Sequence, residues 1–213
     1  ADIENWQVET LEDNVLPLNK VTLDLDGKRV LTQEPIAKAW HQHFYPAPDG
    51  TPFRAEYVFE VEETVHQLVV VIEVAENLER ILIDGQEVKP LKAKGEEVAL
   101  DPDVSWKDPN FTKVPLGTVE KGHHTLVLEG KKVNNITGPG WHRRVEDFQN
   151  HRPTEVETVY LLGDFAVISF DNKNFAIQGG KTLPGGNLTS SGFPFYAGKA
   201  RFEANFTIEA NKR

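Results

Sequence analysis

From Phe53 onward the chain is written in short segments with alternating side chains, most of them closed by turn residues. That pattern limits its fold more than any other feature. Arg54–Val61 puts Tyr57, Phe59 and Val61 on one side and Glu56, Val58 and Glu60 on the other, as in a strand with one buried face. His66–Val74 is a nearly unbroken apolar, β-branched run, suited to a central strand covered on both faces. Arg80–Val88 reads as a hairpin about Asp84-Gly85, because a type I′ turn needs positive φ at both central residues. Further strands are predicted at Val21–Asp26, Phe111–Leu116, His124–Glu129, Thr158–Leu162, Phe165–Phe170, Asn174–Ile177 and Ala200–Ile208. Tyr57, Phe59, Phe165 and Phe202 fall on core positions by alternation.

The run Gln33–Trp40 looks helical. Pro35 suits a first turn, and Ile36, Ala39 and Trp40 share a face. There is no βαβ alternation and no repeat period. The predicted fold is therefore all-β: a two-sheet antiparallel β-sandwich with jelly-roll topology and one short helix near residues 34–44. Residues 1–213 read as a single module, with 1–45 as a lead-in arm packed on it.

Charge narrows the partners. Lys and Arg total 23 against 33 Asp and Glu, for a formal net charge of -10. Such a chain repels phosphate backbones and anionic lipid, so nucleic acid and membrane surfaces are poor partners. Neutral sugars are indifferent to net charge. With no cysteine, disulfides and thiolate metal sites are excluded. The first residue is Ala1 and there is no methionine, so an upstream segment such as a signal peptide, a tag or a neighbouring domain is expected to have been removed. No apolar run approaches the roughly 20 residues of a membrane-spanning helix.

Several phrases fall in an order that resembles a known family. Phe53–Val61 is followed by Leu68–Val74, the Ile81–Val88 hairpin, Asp101 with Trp106, and Lys121–Leu128. This order is similar to the sugar-binding jelly-roll domain of family-two glycoside hydrolases and related galactose-binding-like modules. Asp84 stands where an Asn usually precedes the hairpin glycine. Glu157–Val167 and Gly192–Gly198 resemble the C-terminal jelly roll of rhamnosidase-like and other large bacterial glycoside hydrolases. The resemblance covers roughly residues 10–208. It implies a non-catalytic accessory module, whose catalytic carboxylates would lie in a separate barrel domain of the parent enzyme. The expected partners are a poly- or oligosaccharide and that catalytic domain, with the module itself monomeric. A secreted or cell-surface setting is favoured over a cytoplasmic one.

The residues themselves suggest where sugar would bind. Sugar rings expose apolar C–H faces that stack on flat aromatic rings, and their hydroxyls need polar partners. Trp141 follows Gly138-Pro139-Gly140 in the longest predicted loop, with His142, Arg143, Arg144, Asp147 and Asn150 close behind. Trp106 is the second loop tryptophan. Either could instead anchor its loop on the sandwich, and Trp40 reads as core. Asp101, Asp103 and Asp108 crowd one loop with oxygen donors, making them candidate ligands for a structural calcium; turn formation is the plainer reading. His41 and His43 would share a face on a strand but diverge on a helix. No nucleophile elbow, zinc-binding helix motif or phosphate loop is present. No pair among the acidic residues stands out as glycosidase carboxylates. A purely structural buttress, or a small β-sandwich glycosidase or lyase, are the alternatives to sugar binding.

Overall fold

The computed structural model describes residues 7–91, 101–133, 153–169, 171, 173–180 and 187–205. Within them the alternating segments become strands: β1 (Gln7–Thr10), β2 (Asn14–Leu18), β3 (Lys20–Leu25), β4 (Lys28–Pro35), β5 (Pro52–Glu63), β6 (Val65–Glu73), β7 (Arg80–Ile83) and β8 (Gln86–Val88). They continue with β9 (Ser105–Trp106), β10 (Asp108–Val119), β11 (Gly122–Lys131), β12 (Val159–Gly163), β13 (Phe165–Ile168), β14 (Ala176–Gly179) and β15 (Ala200–Glu203). A short helix, α1 (Ile36–Ala39), runs into a π-helical turn at Trp40–Phe44, as the 34–44 reading expects.

The strands form a sandwich. One sheet has the order β2-β12-β6-β10-β9. The other runs β13-β14-β5-β11-β7-β8, with β3 also on β5 and β4 beyond it. Between them lies the main core, where Tyr57, Phe59 and Val61 of β5 meet Leu68, Val70 and Ile72 of β6 and Leu161 of β12. Each such buried side chain contributes about 1.5–3 kcal/mol relative to exposure. Tyr57 is fully buried, and its hydroxyl donates to Glu157 O at 2.7 Å. Asp26-Gly27 and Asp84-Gly85 turn their hairpins at positive φ.

Three features depart from the sequence reading. First, β14 pairs with β5 in parallel, so the sandwich is not wholly antiparallel. A single residue, Asp164, separates β12 from β13 and carries the chain from one sheet to the other. The β13–β14 hairpin then docks on an edge of β5 that β3 already occupies further along. Second, residues 14–35 supply β2 to one sheet and β3 and β4 to the other, so they are strands of the sandwich. Third, Phe202 is 50% exposed. Among the described residues strand β15 pairs only with β1, in a separate two-stranded sheet, and alternation cannot reveal whether a second layer covers a strand.

Candidate functional site

The five-stranded sheet has a second apolar face, turned away from the main core. On β6 the side chains of Val69 and Val71 join Val15 of β2, Leu162 and Tyr160 of β12, Phe111 of β10 and Trp106 of β9. The unbroken apolar run of β6 serves both faces: Leu68, Val70 and Ile72 point inward, Val69 and Val71 outward. Val71 is fully buried, but Trp106, Tyr160 and Phe111 are only half-buried. Their rings form a continuous row, Trp106 to Tyr160 at 5.2 Å and Tyr160 to Phe111 at 5.9 Å between centroids.

Local hydrogen bonds fix the tryptophan. Ser105 donates its N–H and its hydroxyl to Asp101 O, both at 2.8 Å, and Lys113 N–H donates to Val104 O at 2.9 Å. Lys107, directly after the indole, has φ 64°. Its ammonium donates to Glu12 Oε2 at 2.7 Å and lies 5.9 Å from the Trp106 ring centroid. Val74, directly after Glu73, has φ 50°, a strained conformation for a β-branched residue. Both strained positions flank this surface.

Beside the aromatic row stands a group of acids. Glu73 ends β6, in register opposite Phe111. Glu155 and Glu157 bracket the buried Val156 just before β12. Burial pushes the Glu73 carboxyl up to about 7, helped by the nearby charges of Glu155, Glu157 and Asp108. Glu155 is raised by burial and then by Glu157; Glu157 is raised by burial and partly offset by His41. Glu73 and Glu155 are near enough for each to act on the other's charge, and burial with these neighbours favours the protonated form of Glu73. Burial, then Glu157 and Glu73, raise the Tyr160 phenol. It stays protonated and able to donate.

This pair makes stability depend on pH. A carboxyl raised in the folded state is protonated there over a pH range in which the unfolded chain has lost its proton. Unfolding free energy therefore falls as pH rises from the ordinary value of 4.5 through about 7, and is flat beyond. With allowance for solvent screening, the loss is about 1–2 kcal/mol. Urea denaturation at pH 5 and pH 8 should show this fall in the wild type and a flatter profile in Glu73→Gln. Equal slopes in both proteins would contradict the assignment.

Of the residues singled out from sequence, Trp106 lies in the aromatic row. Trp141, His142, Arg143, Arg144 and Asp147 lie outside the described residues. Asp101 Oδ1 accepts the Asp103 N–H at 2.9 Å, and Asp108 Oδ1 accepts the Asn110 N–H at 2.8 Å, which are turn-forming bonds. Among the described residues no three His, Cys, Asp or Glu side chains gather as a metal ligand set. His41 and His43 diverge on the π-helical turn: His41 acts on Glu157, while His43 lines a separate open notch with Pro46–Pro52.

Sequence reasoning missed Glu73, Glu155 and Glu157. Two signals were present. Glu73 interrupts an apolar run that is covered on both faces, and the Glu-Val-Glu alternation puts two carboxyls on one side of a buried valine.

No protein-family model matches the chain, and no curated protein matches it. Among solved structures it is similar to a GH2 beta-galacturonidase from Eisenbergiella tayi bound to galacturonate. Identity is 12%, with 81% of this chain and 29% of that chain covered, at a TM-score of 0.37. A glycerol-bound GH2 beta-galacturonidase from the same organism gives 13% identity, 81% and 28% coverage, and a TM-score of 0.36. A GH31 alpha-xylosidase from Xanthomonas citri gives 11%, 76% and 19%, at 0.32. The chain spans less than a third of the length of each of these structures.

Proposed function

We propose that this chain is a carbohydrate-binding module, and that it binds oligosaccharide on the outer face of its five-stranded sheet. The observation that carries this reading is the half-buried row of Trp106, Tyr160 and Phe111, with the acid Glu73 in register opposite Phe111. Aromatic faces stack on sugar C–H faces. The neighbouring carboxyls offer acceptors to sugar hydroxyls, and the Tyr160 phenol adds a donor. The role as accessory to a glycoside hydrolase rests on the sequence resemblance described above.

The raised Glu73 carboxyl invites a second reading, as a general acid. A glycosidase places its two carboxyls about 5–9.5 Å apart, with the scissile bond between them. Neither Glu73 nor Glu155 lines the clefts described among these residues, and catalysis needs a cleft that holds the scissile bond between two acids. Binding is the better fit. Reducing-sugar release by the purified protein, abolished in Glu73→Gln, would reverse that choice.

Isothermal titration against a panel of plant and bacterial oligosaccharides tests the proposal. At least one should bind, and Trp106→Ala should weaken it about tenfold or more. Because Trp106 also packs on the outer apolar cluster, Tyr160→Phe serves as a milder companion that keeps the ring. Absence of binding to every glycan by folded wild-type protein would overturn the proposal.

A further inference from the structure

Strand β5 carries an interruption along one edge. Strand β11 pairs with its other edge over the whole length from Pro52 to Val61. On the first edge β3 pairs with Phe53–Glu56, and β14 resumes pairing at Val61. Among the described residues no strand pairs with this edge over Tyr57–Glu60, a gap of about 13 Å at ~3.3 Å per residue. A cleft of about 390 Å³ opens here, within the size range of small-molecule sites. Because β3 and β14 close both ends, an extended peptide cannot run through it. The space suits a small ligand.

Its walls are chemically mixed. Val58, 42% exposed, and Phe175 give apolar surface. Lys20 and Lys173 line the cleft, and neither forms an ion pair among the described residues. Unpartnered amines sharing one cleft stand out in a chain of net charge -10. Glu60, the acid lining it, is faced by His123 Nε2 at 3.5 Å. The turn bearing Lys173 is preorganised: Asp171 Oδ1 accepts the N–H groups of Lys173 at 2.8 Å and Asn174 at 2.7 Å. On the opposite wall Gln33 has φ 48°, a strained conformation of the kind held at ligand sites. Its Nε2 donates to Thr22 Oγ1 at 3.1 Å, which leaves its side-chain carbonyl as an acceptor.

We propose that this notch is a second binding site, separate from the aromatic row, for a sugar ring bearing an anionic group. The ring would lie on Val58 and Phe175, with hydroxyls toward Gln33 and the open edge of β5 and the anion at Lys20 and Lys173. Lysine reads charge as a point rather than a fork, so a carboxylate or a sulfate serves. The sugar component rests on the carbohydrate reading above; the anion component does not.

The test is titration of the full chain with methyl β-D-glucuronide, glucose 6-sulfate and methyl β-D-glucoside, at low and high salt. The two anionic sugars should bind about tenfold more tightly than the neutral one, and that advantage should fade with salt. The Lys20→Ala/Lys173→Ala double variant, at exposed positions, should lose the advantage while remaining folded. Trp106→Ala should keep it. Equal binding of neutral and anionic sugars, binding of none, an unchanged double variant, or loss of uronate binding in Trp106→Ala would each overturn the proposal. Neutral oligosaccharides failing at Trp106 while the anionic sugars still bind would sink the earlier reading and leave this one standing.

Discussion

Asn14→Leu is expected to lower the unfolding free energy by about 3 kcal/mol. Asn14 is 0% exposed. Its side-chain amide donates to Phe165 O and to Gly192 O, both at 2.8 Å, and its Oδ1 accepts the Val15 N–H at 2.9 Å. One side chain thus ties β2, at the rim of the five-stranded sheet, to β13 of the other sheet and to the turn at Gly192. Leucine has nearly the same volume but removes the Asn14 partner of Phe165 O and of the Val15 N–H, at about 1–3 kcal/mol each when buried, while Gly192 O keeps the Val167 N–H at 2.8 Å. Urea denaturation monitored by circular dichroism measures the change. A loss below about 1 kcal/mol would show that water or local relaxation replaces the bonds.

Lys132→Met is expected to cost about 3 kcal/mol as well, or roughly 6–12 °C in Tm for a chain of this size. Lys132 is only 5% exposed. Its ammonium donates to Tyr45 O and Ala47 O, both at 2.5 Å, where the π-helical turn ends. It also lies 5.8 Å from the centroids of both the Phe44 and Tyr45 rings. The carbonyls at a helix end have no partners within the helix, and the cation satisfies them while meeting the negative end of the helix dipole. Methionine keeps the hydrocarbon stem and removes the charge, so the variant isolates those bonds from packing. A thermal melt within about 2 °C of wild type would contradict this account of the amine.

How much of this was legible depended on how local each cause is. The Asp84-Gly85 hairpin could be read directly, because its turn is decided by residues adjacent in sequence. So could the strand at Arg54–Val61, whose alternation already sorts buried from exposed. Lys132 could not. In sequence it is the second lysine of an exposed-looking Lys131-Lys132 pair, and the carbonyls that bury it lie 85 and 87 residues away. The parallel pairing of β14 was equally hidden, since it follows from where a later hairpin finds a free edge. The site was half visible. Trp106 was picked out as a loop aromatic, but its partners Tyr160 and Phe111 lie on other strands and meet it only across the folded sheet. The acids were hidden among the 33 Asp and Glu because proximity, not residue type, distinguishes Glu73 and Glu155.

The central claim is that the aromatic row on the outer face of the five-stranded sheet contacts sugar. Amide and indole N–H chemical shifts of the isotope-labelled chain, followed during titration with the best oligosaccharide from the panel, test it most directly. The account predicts saturable shifts of the Trp106 indole and of the backbone at Phe111 and Tyr160, with Leu82 and Val127 of the opposite sheet unmoved. Saturation with the Trp106 indole unmoved, or no saturable shift anywhere, would contradict it.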